Sequence, residues 1–471
     1  MDQQFAALLV LFLACFKQGQ SQPSQPPNIL IITVDNVGYG DLSIYNPASP
    51  VITPNLEKIA KEGARLMSFY TAGATCTVSR ASLLTGRIPE RHMLVEQLVG
   101  LPGNYGIGLR QSEILIPEVL KGATQPYATG AFGKWNIGFA PGSRPTERGF
   151  DTFLGIASGN ADHFTHVYAG KHDLHLDTKV INRDGQYSTD LFANAAIDFI
   201  EKEHAKQKPW FVYLPFDAPH HPGDRNIDPG AENIWKAPDY AFDIYGLTPD
   251  EKDPKKRFNA VVTAIDMAIG RVMDKLEELN IDDNTFVFIY SDNGAFYPFL
   301  DSGIQSNAPL KGAGVTLWEG GIRVPALARW PKKIEAGSVI DARLWSLDLM
   351  TACAEIAGVS LPQDRFIDGM NPLPVLFGET KNSPHATLYF KYLNYAALLW
   401  GDYKIIREEE EGEWQLYDLT SDISEANNLA PQEEAIVKKM AAAYEQQEQE
   451  IQSYLMIEGS FQLGKKSNSI H

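Results

Sequence analysis

"NILIITVDN" occupies Asn28–Asn36. Apolar and β-branched residues run on from Asn28 without alternation, then meet an acid and an amide. A strand with no apolar–polar alternation is buried on both faces, as in a parallel sheet. The pattern recurs three times. "TFVFIYSDNG" covers Thr285–Gly294 and again ends in acid and amide. "PWFVYLPFDAPHHP" covers Pro209–Pro222 and ends in histidines, and "YATGAFGKWN" covers Tyr127–Asn136 and ends in lysine. Helical periodicity lies between them, in "LFANAAIDFIEKEHAK" and "FNAVVTAIDMAIGRVMDKLEEL". The alternation predicts an α/β fold, a large and mostly parallel sheet sandwiched by helices. Ligands of such sheets bind beyond the carboxyl ends of the strands, and all four polar clusters fall there.

The pattern breaks at "FGETKNSP", Phe377–Pro384. Short strand-like runs follow ("ATLYFKYLNYAALLW", "YKIIREE", "EWQLYDL"), then the helical stretch "EEAIVKKMAAAYEQQEQEIQSYL". We therefore expect a catalytic domain over 27–377 and a smaller C-terminal α+β domain over 378–471. Before them, "FAALLVLFLACF" (Phe5–Phe16) has the length of a signal-peptide core and is too short to span a bilayer. Residues 1–26 are read as signal and linker, so the protein is expected to be exported. "MDQQ" lacks the positive charge usual in such signals. Cys15 as a lipid-anchor site is the alternative. No other run has the length and apolarity of a membrane helix.

The chain has 471 residues and a formal net charge of −18. That charge argues against non-specific nucleic-acid binding. It leaves room for an anionic substrate in a local basic cleft. There are three cysteines. Cys15 leaves with the signal, and Cys353, in "LMTACAEIAG", sits on an apolar helical face and reads as core. No disulfide framework is left, so Cys76 in a polar stretch calls for an explanation.

Cys76 lies in "ATCTVSRASLLTGRIPE", Ala74–Glu90, which reads as the start of a helix. A helix N-terminus stabilises anions and lowers a thiol pKa, and Arg80 and Arg87 add fixed positive charge. The alternative is a capping turn with surface arginines. Asp35, Asn36, Asp292 and Asn293 form a hard-oxygen set suited to Ca²⁺ or Mg²⁺, although Asp-Asn-Gly is also a common turn. Lys134 can balance an anionic oxygen and His220 can donate a proton to a leaving oxygen. His221 is the better candidate for a plain loop residue.

In this order, these residues resemble the formylglycine-dependent sulfatases of the alkaline-phosphatase superfamily. The family's opening appears as "PNILIITVDNVGYGDL", its next motif as "TPNLEKIAKEGARL", and its signature C-x-P-S-R-x-x-x-L-T-G-R as "CTVSRASLLTGR". "GKWNIG", "RGFDTFLG", "APHHP", "SDNG", "EGGIRVPALARWP" and "QLYDLTSDISEANNLA" follow in family order, over roughly Pro27 to Tyr444. The resemblance implies that a formylglycine-generating enzyme oxidises Cys76 to an aldehyde, which hydrates to a geminal diol. One diol oxygen attacks sulfur and the sugar or aryl oxygen leaves. The other hydroxyl loses its proton and expels sulfate by C–O cleavage. It also implies a Ca²⁺ (alternatively Mg²⁺) held by Asp35, Asn36, Asp292 and Asn293. Arg80 would steady the diol. Lys134 and His220 would contact the sulfate, with His220 as general acid.

Four positions depart from the pattern. Val78 replaces the signature Pro, Asn36 replaces the second metal Asp, and Asn136 replaces the His of "GKWH". Gly314 stands where the Lys before "T-x-x-EGG" is expected, while Lys311 matches a separate basic position. Asp to Asn removes one negative charge and Lys to Gly one positive charge, so the net site charge is kept. Another titratable group is then needed. "SGNADHFTHVYAGKHDLHLD" follows "RGFDTFLG" and offers His163 ahead of His166, unless both are surface residues. Asn136 is expected to touch substrate with Lys311, and Trp135 and Trp318 to stack on sugar faces. The leading reading is hydrolysis of sulfate esters on a sulfated carbohydrate, such as a carrageenan-like polysaccharide. The alternatives are a phosphatase or phosphonate hydrolase on the same fold, and a non-catalytic binder of sulfated glycans.

Overall fold

The computed structural model describes residues 25–98, 106–222 and 234–467, with side chains described to residue 455. Residues 1–24 of the expected signal and linker, Cys15 among them, lie outside the described residues. Ten strands form the main sheet: β1 (Asn28–Val34), β2 (Ala64–Leu66), β3 (Ala128–Lys134), β4 (Thr152–Ile156), β5 (Leu174–Leu176), β6 (Lys179–Val180), β7 (Trp210–Pro215), β8 (Thr285–Ser291), β9 (Ala326–Arg329) and β10 (Ser338–Ile340). Their order across the sheet is β10-β2-β9-β8-β1-β7-β3-β4-β5-β6. The middle strands β8, β1, β7, β3 and β4 are all parallel. Antiparallel pairs appear only outside them, at β8–β9, β9–β2, β4–β5 and β5–β6.

The unbroken apolar run of β1 is explained by its position. Ile31 pairs with Tyr213 on one side and Phe288 on the other. Successive side chains then go to opposite faces. Leu30 and Ile32 join the cluster containing Phe192, Ala196, Val261 and Ile265. Ile29 and Ile31 join the one containing Ala81, Leu84, Met350 and Cys353. Those partners come from helices Ser188–Ala205 and Pro254–Glu278 on one face, and Cys76–Thr85 and Asp348–Ala357 on the other. Each buried aliphatic side chain contributes about 1.5–3 kcal/mol, which is why the strand is aliphatic from Ile29 to Ile32 on both faces, with Thr33 its one buried hydroxyl before the polar end. Cys353 is core, as its helical face suggested.

After the break at 377–384, four antiparallel strands, β11 (Thr387–Tyr392), β12 (Tyr395–Trp400), β13 (Tyr403–Arg407) and β14 (Gln415–Asp418), form a second sheet. The long helix Glu434–Ser467 follows. This sheet is keyed to the larger part by charge. Lys404, fully buried, pairs with Glu319 at 2.9 Å and Glu425 at 2.8 Å. Among the described residues no helix is long and apolar enough to cross a membrane.

Candidate active site

Asp35 and Asn36 follow β1, Asp292 and Asn293 follow β8, Lys134 ends β3, and His220 lies beyond β7. The four strands are side by side and parallel, so their carboxyl ends deliver these residues to one place. Asn36 takes a left-handed conformation, φ 63°, which Asn tolerates better than most residues. Its N–H donates to Asp292 Oδ1 at 3.2 Å. The helix Cys76–Thr85 starts directly over this point. Cys76 Sγ lies 3.3 Å from Asp35 Oδ1 and 3.9 Å from Asn36 Oδ1. Arg80, one turn further along the same helix face, donates to Asp292 Oδ2 from Nε at 3.0 Å and Nη2 at 2.7 Å. Its Nη1 donates to the Lys134 carbonyl at 3.0 Å. Lys134 Nζ donates to Asp35 Oδ2. Arg87 does not join them; it is buried against Glu113 at 2.9 Å.

Two carboxylates and two cations leave these four side chains formally neutral. All four are fully buried. The thiol is not activated as a helix start would suggest. Burial, then the negative charges of Asp292 and Asp35, push Cys76 well above the ordinary thiol value, outweighing Lys134 and Arg80. A thiolate nucleophile is therefore a poor description of residue 76. Burial, then Asp35, also pushes Asp292 up to about 6, as expected for two buried carboxylates close to each other. Asn293 Oδ1 is buried without a hydrogen-bond partner, while its Nδ2 donates to Asn36 Oδ1. Ligand-capable atoms of Asp35, Cys76 and His220 lie within 4.8 Å of one another. The paired acids and the orphan amide oxygen are hard oxygen donors and fit a divalent cation; the Cys76 sulfur and the His220 nitrogen beside them are softer donors.

His220 is held neutral. Burial, then the Lys134 charge, lowers it to about 3. Its Nδ1 donates to the His221 carbonyl at 2.8 Å, which leaves Nε2 as a free acceptor. Nearby, Asn136 N–H donates to the Ala157 carbonyl at 3.3 Å, so the segment after β4 returns beside β3. Asn136 is wholly buried, and neither end of its amide has a partner. Gly159 faces it: a Cβ there would stand 3.2 Å from Asn136 Nδ2. His163 is equally buried with both ring nitrogens unpartnered, and so is His166. The expectation that both might be surface residues fails.

The sulfatase family matches residues 27–359, and the family described as N-sulphoglucosamine sulphohydrolase, C-terminal, matches residues 315–450. The chain belongs to the sulfatase family. It is 32% identical to N-acetylgalactosamine-6-sulfatase of Canis lupus familiaris, over 84% of this chain and 74% of that protein. The Homo sapiens protein of the same name is 34% identical, over 76% and 67%. The crystal structure of Ps i-CgsB in complex with k-i-k-neocarrahexaose superposes with a TM-score of 0.78 at 29% identity, covering 90% of this chain and 92% of that one.

As a sulfatase the chain is a sulfuric ester hydrolase, and one side chain expected at its substrate face, Trp135, belongs to the core. Trp135 is 1% exposed. Its ring packs edge-on to Phe150 and Phe153, and its Nε1 donates to the Gly138 and Ser143 carbonyls. It is core and has no face for a sugar. Trp318 is 5% exposed, and Lys311 Nζ sits 3.4 Å from its ring centroid. That is a cation–π contact, and the indole N–H donates to Glu408 at 3.1 Å; Lys311 itself is exposed. At Gly314 a Cβ would stand 3.3 Å from Asn293 Nδ2, so a side chain there would point at the acid–amide cluster.

Sequence reading missed the clasp on the first helical turn. Thr77 N–H donates to Gln97 Oε1 at 3.0 Å, and Thr77 Oγ1 donates to the Asn136 carbonyl at 2.9 Å. It also missed Tyr392, which reaches the site from β11. Neither carries a spacing signal, because both depend on contacts between distant segments.

Proposed function

We propose that this sulfatase releases sulfate from a sulfated carbohydrate, of carrageenan-like polysaccharide or oligosaccharide type, with residue 76 acting as formylglycine. The observation that carries the reading is the thiol of Cys76, 3.3 Å from Asp35 at the start of a helix, in a pocket that suppresses thiolate. Such a pocket suits a nucleophile other than sulfur. A hydrated aldehyde at 76 would supply an oxygen nucleophile and a second hydroxyl for release of sulfate. Two relatives named for an N-acetylgalactosamine sulfate and a structure holding a carrageenan hexasaccharide support a saccharide substrate.

In this reading Asp35, Asn36, Asp292 and Asn293 hold Ca²⁺, or Mg²⁺, which would supply positive charge toward the sulfate oxygens. Adding a divalent cation to a neutral quartet would give the pocket a net positive charge, which attracts a sulfate ester anion. Arg80 fixes Asp292 and crowns the residue-76 oxygens. Lys134 orients Asp35 and faces the sulfate. His220 Nε2 takes the proton that the attacking residue-76 hydroxyl gives up, and as imidazolium it passes that proton to the leaving oxygen. His163 stands in for the basic group lost at Asn136, and Asn136 contributes its unpaired amide to substrate. The division between the catalytic part and the C-terminal part is placed at 377/378. Export after signal cleavage, and conversion by a formylglycine-generating enzyme, complete the reading.

Mass spectrometry of the tryptic peptide containing residue 76, from a host able to modify cysteines, tests it together with sulfate release from a panel of sulfated oligosaccharides. Aldehyde at 76 and released sulfate are expected. An unmodified thiol with no release from any member would overturn the reading.

A further inference from the structure

A second cavity opens beside the nucleophile helix. It measures about 180 Å³, and its lining includes Glu90, Glu96, Tyr389, Lys391, Tyr392 and Glu448. At about 30 Å³ per water it has room for roughly six, the scale of one sugar ring. One wall is the segment 90–96, the other is the end of β11, and the long C-terminal helix closes the back. The first wall is tied to the site itself. Thr77 N–H donates to Gln97 Oε1 at 3.0 Å and Leu98 N–H to Thr77 Oγ1 at 3.1 Å. Glu96 precedes that clasp, so the cavity rim is fixed relative to Cys76. On the other wall Tyr392 is within electrostatic reach of both Glu96 and Cys76.

The lining has a definite chemistry. Three glutamates face a single lysine, and that lysine is already paired with Glu448. Glu90 Oε2 is buried with no hydrogen-bond partner. Tyr389 and Tyr392 add ring surface. Carboxylate oxygens accept from sugar hydroxyls, and aromatic faces pack on sugar C–H groups. With Glu448 paired to Lys391 and burial pushing Glu90 up to about 7, Glu96 carries the like charge that a sulfate or uronate brought here would meet, and repulsion of the wrong partner is an effective source of specificity.

We propose that this cavity is a subsite for an uncharged sugar next to the sulfated one, so that the enzyme selects saccharides whose reacting residue has a neutral neighbour. The inference rests on the reading that the substrate is a sulfated carbohydrate. It goes beyond that reading by assigning the neighbour's charge and the residues that sense it.

The test uses two defined disaccharides. Both carry the reacting sulfate; the neighbouring sugar is neutral in one and bears its own sulfate in the other. For the full-length enzyme, kcat/KM on the first is expected to exceed that on the second by about tenfold or more. Glu96→Lys reverses the charge at an exposed rim position, and is expected to shrink the ratio to about threefold or invert it. High salt should also narrow the wild-type ratio. Equal rates on the two disaccharides, or a ratio that Glu96→Lys leaves in place, would overturn the subsite while leaving the carbohydrate sulfatase reading intact. If neither disaccharide is hydrolysed, that reading fails instead. Calorimetric Kd values for the two on Cys76→Ala protein, with and without Glu96→Lys, then decide the subsite by the same ratio.

Discussion

Arg80 places both its Nε and its Nη2 on one oxygen of Asp292, at 3.0 and 2.7 Å, and leaves the other oxygen to the Asn36 N–H. One guanidinium thus fixes the ends of two strands at once, and its third nitrogen holds the Lys134 carbonyl. A lysine has no fork to do this. Removing one partner of a buried ion pair costs about 3–5 kcal/mol, because the other charge is left uncompensated. Arg80→Ala and Asp292→Ala are each expected to lose stability on that scale in urea unfolding of the metal-free protein. The double variant should lose clearly less than the sum. Additive losses would show that the two side chains do not act as a pair.

Cation binding should be visible without turnover. Asp35 and Asp292 are buried together, and Asp292 is pushed up to about 6. A divalent ion relieves that strain only in the folded state, so Ca²⁺ at a hundred times its Kd is expected to add about 2.7 kcal/mol. Chelation should lower Tm and abolish sulfate release, and added Ca²⁺ should restore both. With two charged ligand side chains instead of three, affinity should fall below that of relatives with a third acid. An Asp292→Ala protein whose Tm still rises with Ca²⁺ would refute the assignment.

The sheet was legible because burial on two faces leaves an unmistakable mark. A strand such as Ile29–Val34 has no room for alternation, and four such strands ending in polar residues predicted one converging site. The second sheet was legible for the same local reason, in short runs after Phe377. Side-chain destinations were not legible. Trp135 follows Lys134 directly, yet the backbone turns and sends its ring into the core. Trp318 and Lys311 form a cation–π contact, a pairing that spacing alone does not reveal. The thiol pKa was misjudged for a related reason: a helix start suggests activation, whereas burial and two carboxylates decide the outcome.

Cys76→Ala removes the proposed nucleophile and little else. The side chain is buried, and its one close polar contact is a 3.3 Å approach to Asp35. Sulfate release should fall to background while the unfolding free energy from urea titration stays within about 1 kcal/mol of wild type, in line with a small truncation. Retention of activity within tenfold would remove residue 76 from the chemistry.

His163 and His166 start level in burial and differ in surroundings. His163 lies within electrostatic reach of His220 and His221, whereas His166 lies within reach of Asp217, Asp184 and Asp162. Loss of a general acid–base group costs about 10²–10⁴-fold in rate. His163→Ala is expected to lower kcat into that range and to move the pH profile; His166→Ala is not expected to shift the profile. Unchanged profiles for both would assign the proton transfers to His220 alone.

His92 ties stability to pH with a sign that follows from its hydrogen bonds. Leu94 N–H donates to Nδ1 at 3.2 Å, so that nitrogen carries no proton, and Nε2–H is left to donate to Ser82 Oγ at 2.9 Å. Burial, followed by the charges of Arg87 and Arg110, lowers this imidazole to about 3. The unfolded chain regains an ordinary value near 6.5. Above pH ~6.5 the ring is neutral in both states and costs nothing. Below it the unfolded state takes up a proton that the folded state refuses, so stability falls as the pH drops from about 6.5 toward 3. Each such group removes about 1.4 kcal/mol per pH unit once well below 6.5, or about 2 kcal/mol by pH 5. His220 and His221 are lowered likewise, to about 3 and about 2, so the wild-type slope contains several such contributions. His92→Gln keeps a polar side chain at 92 but cannot titrate. Urea unfolding at pH 8, 6 and 5 should show the variant losing less stability on acidification than wild type, by about 2 kcal/mol at pH 5. Parallel pH curves for the two proteins would mean that His92 takes up its proton in the folded state as readily as in the unfolded one, and that Nδ1 does not keep the Leu94 N–H as donor.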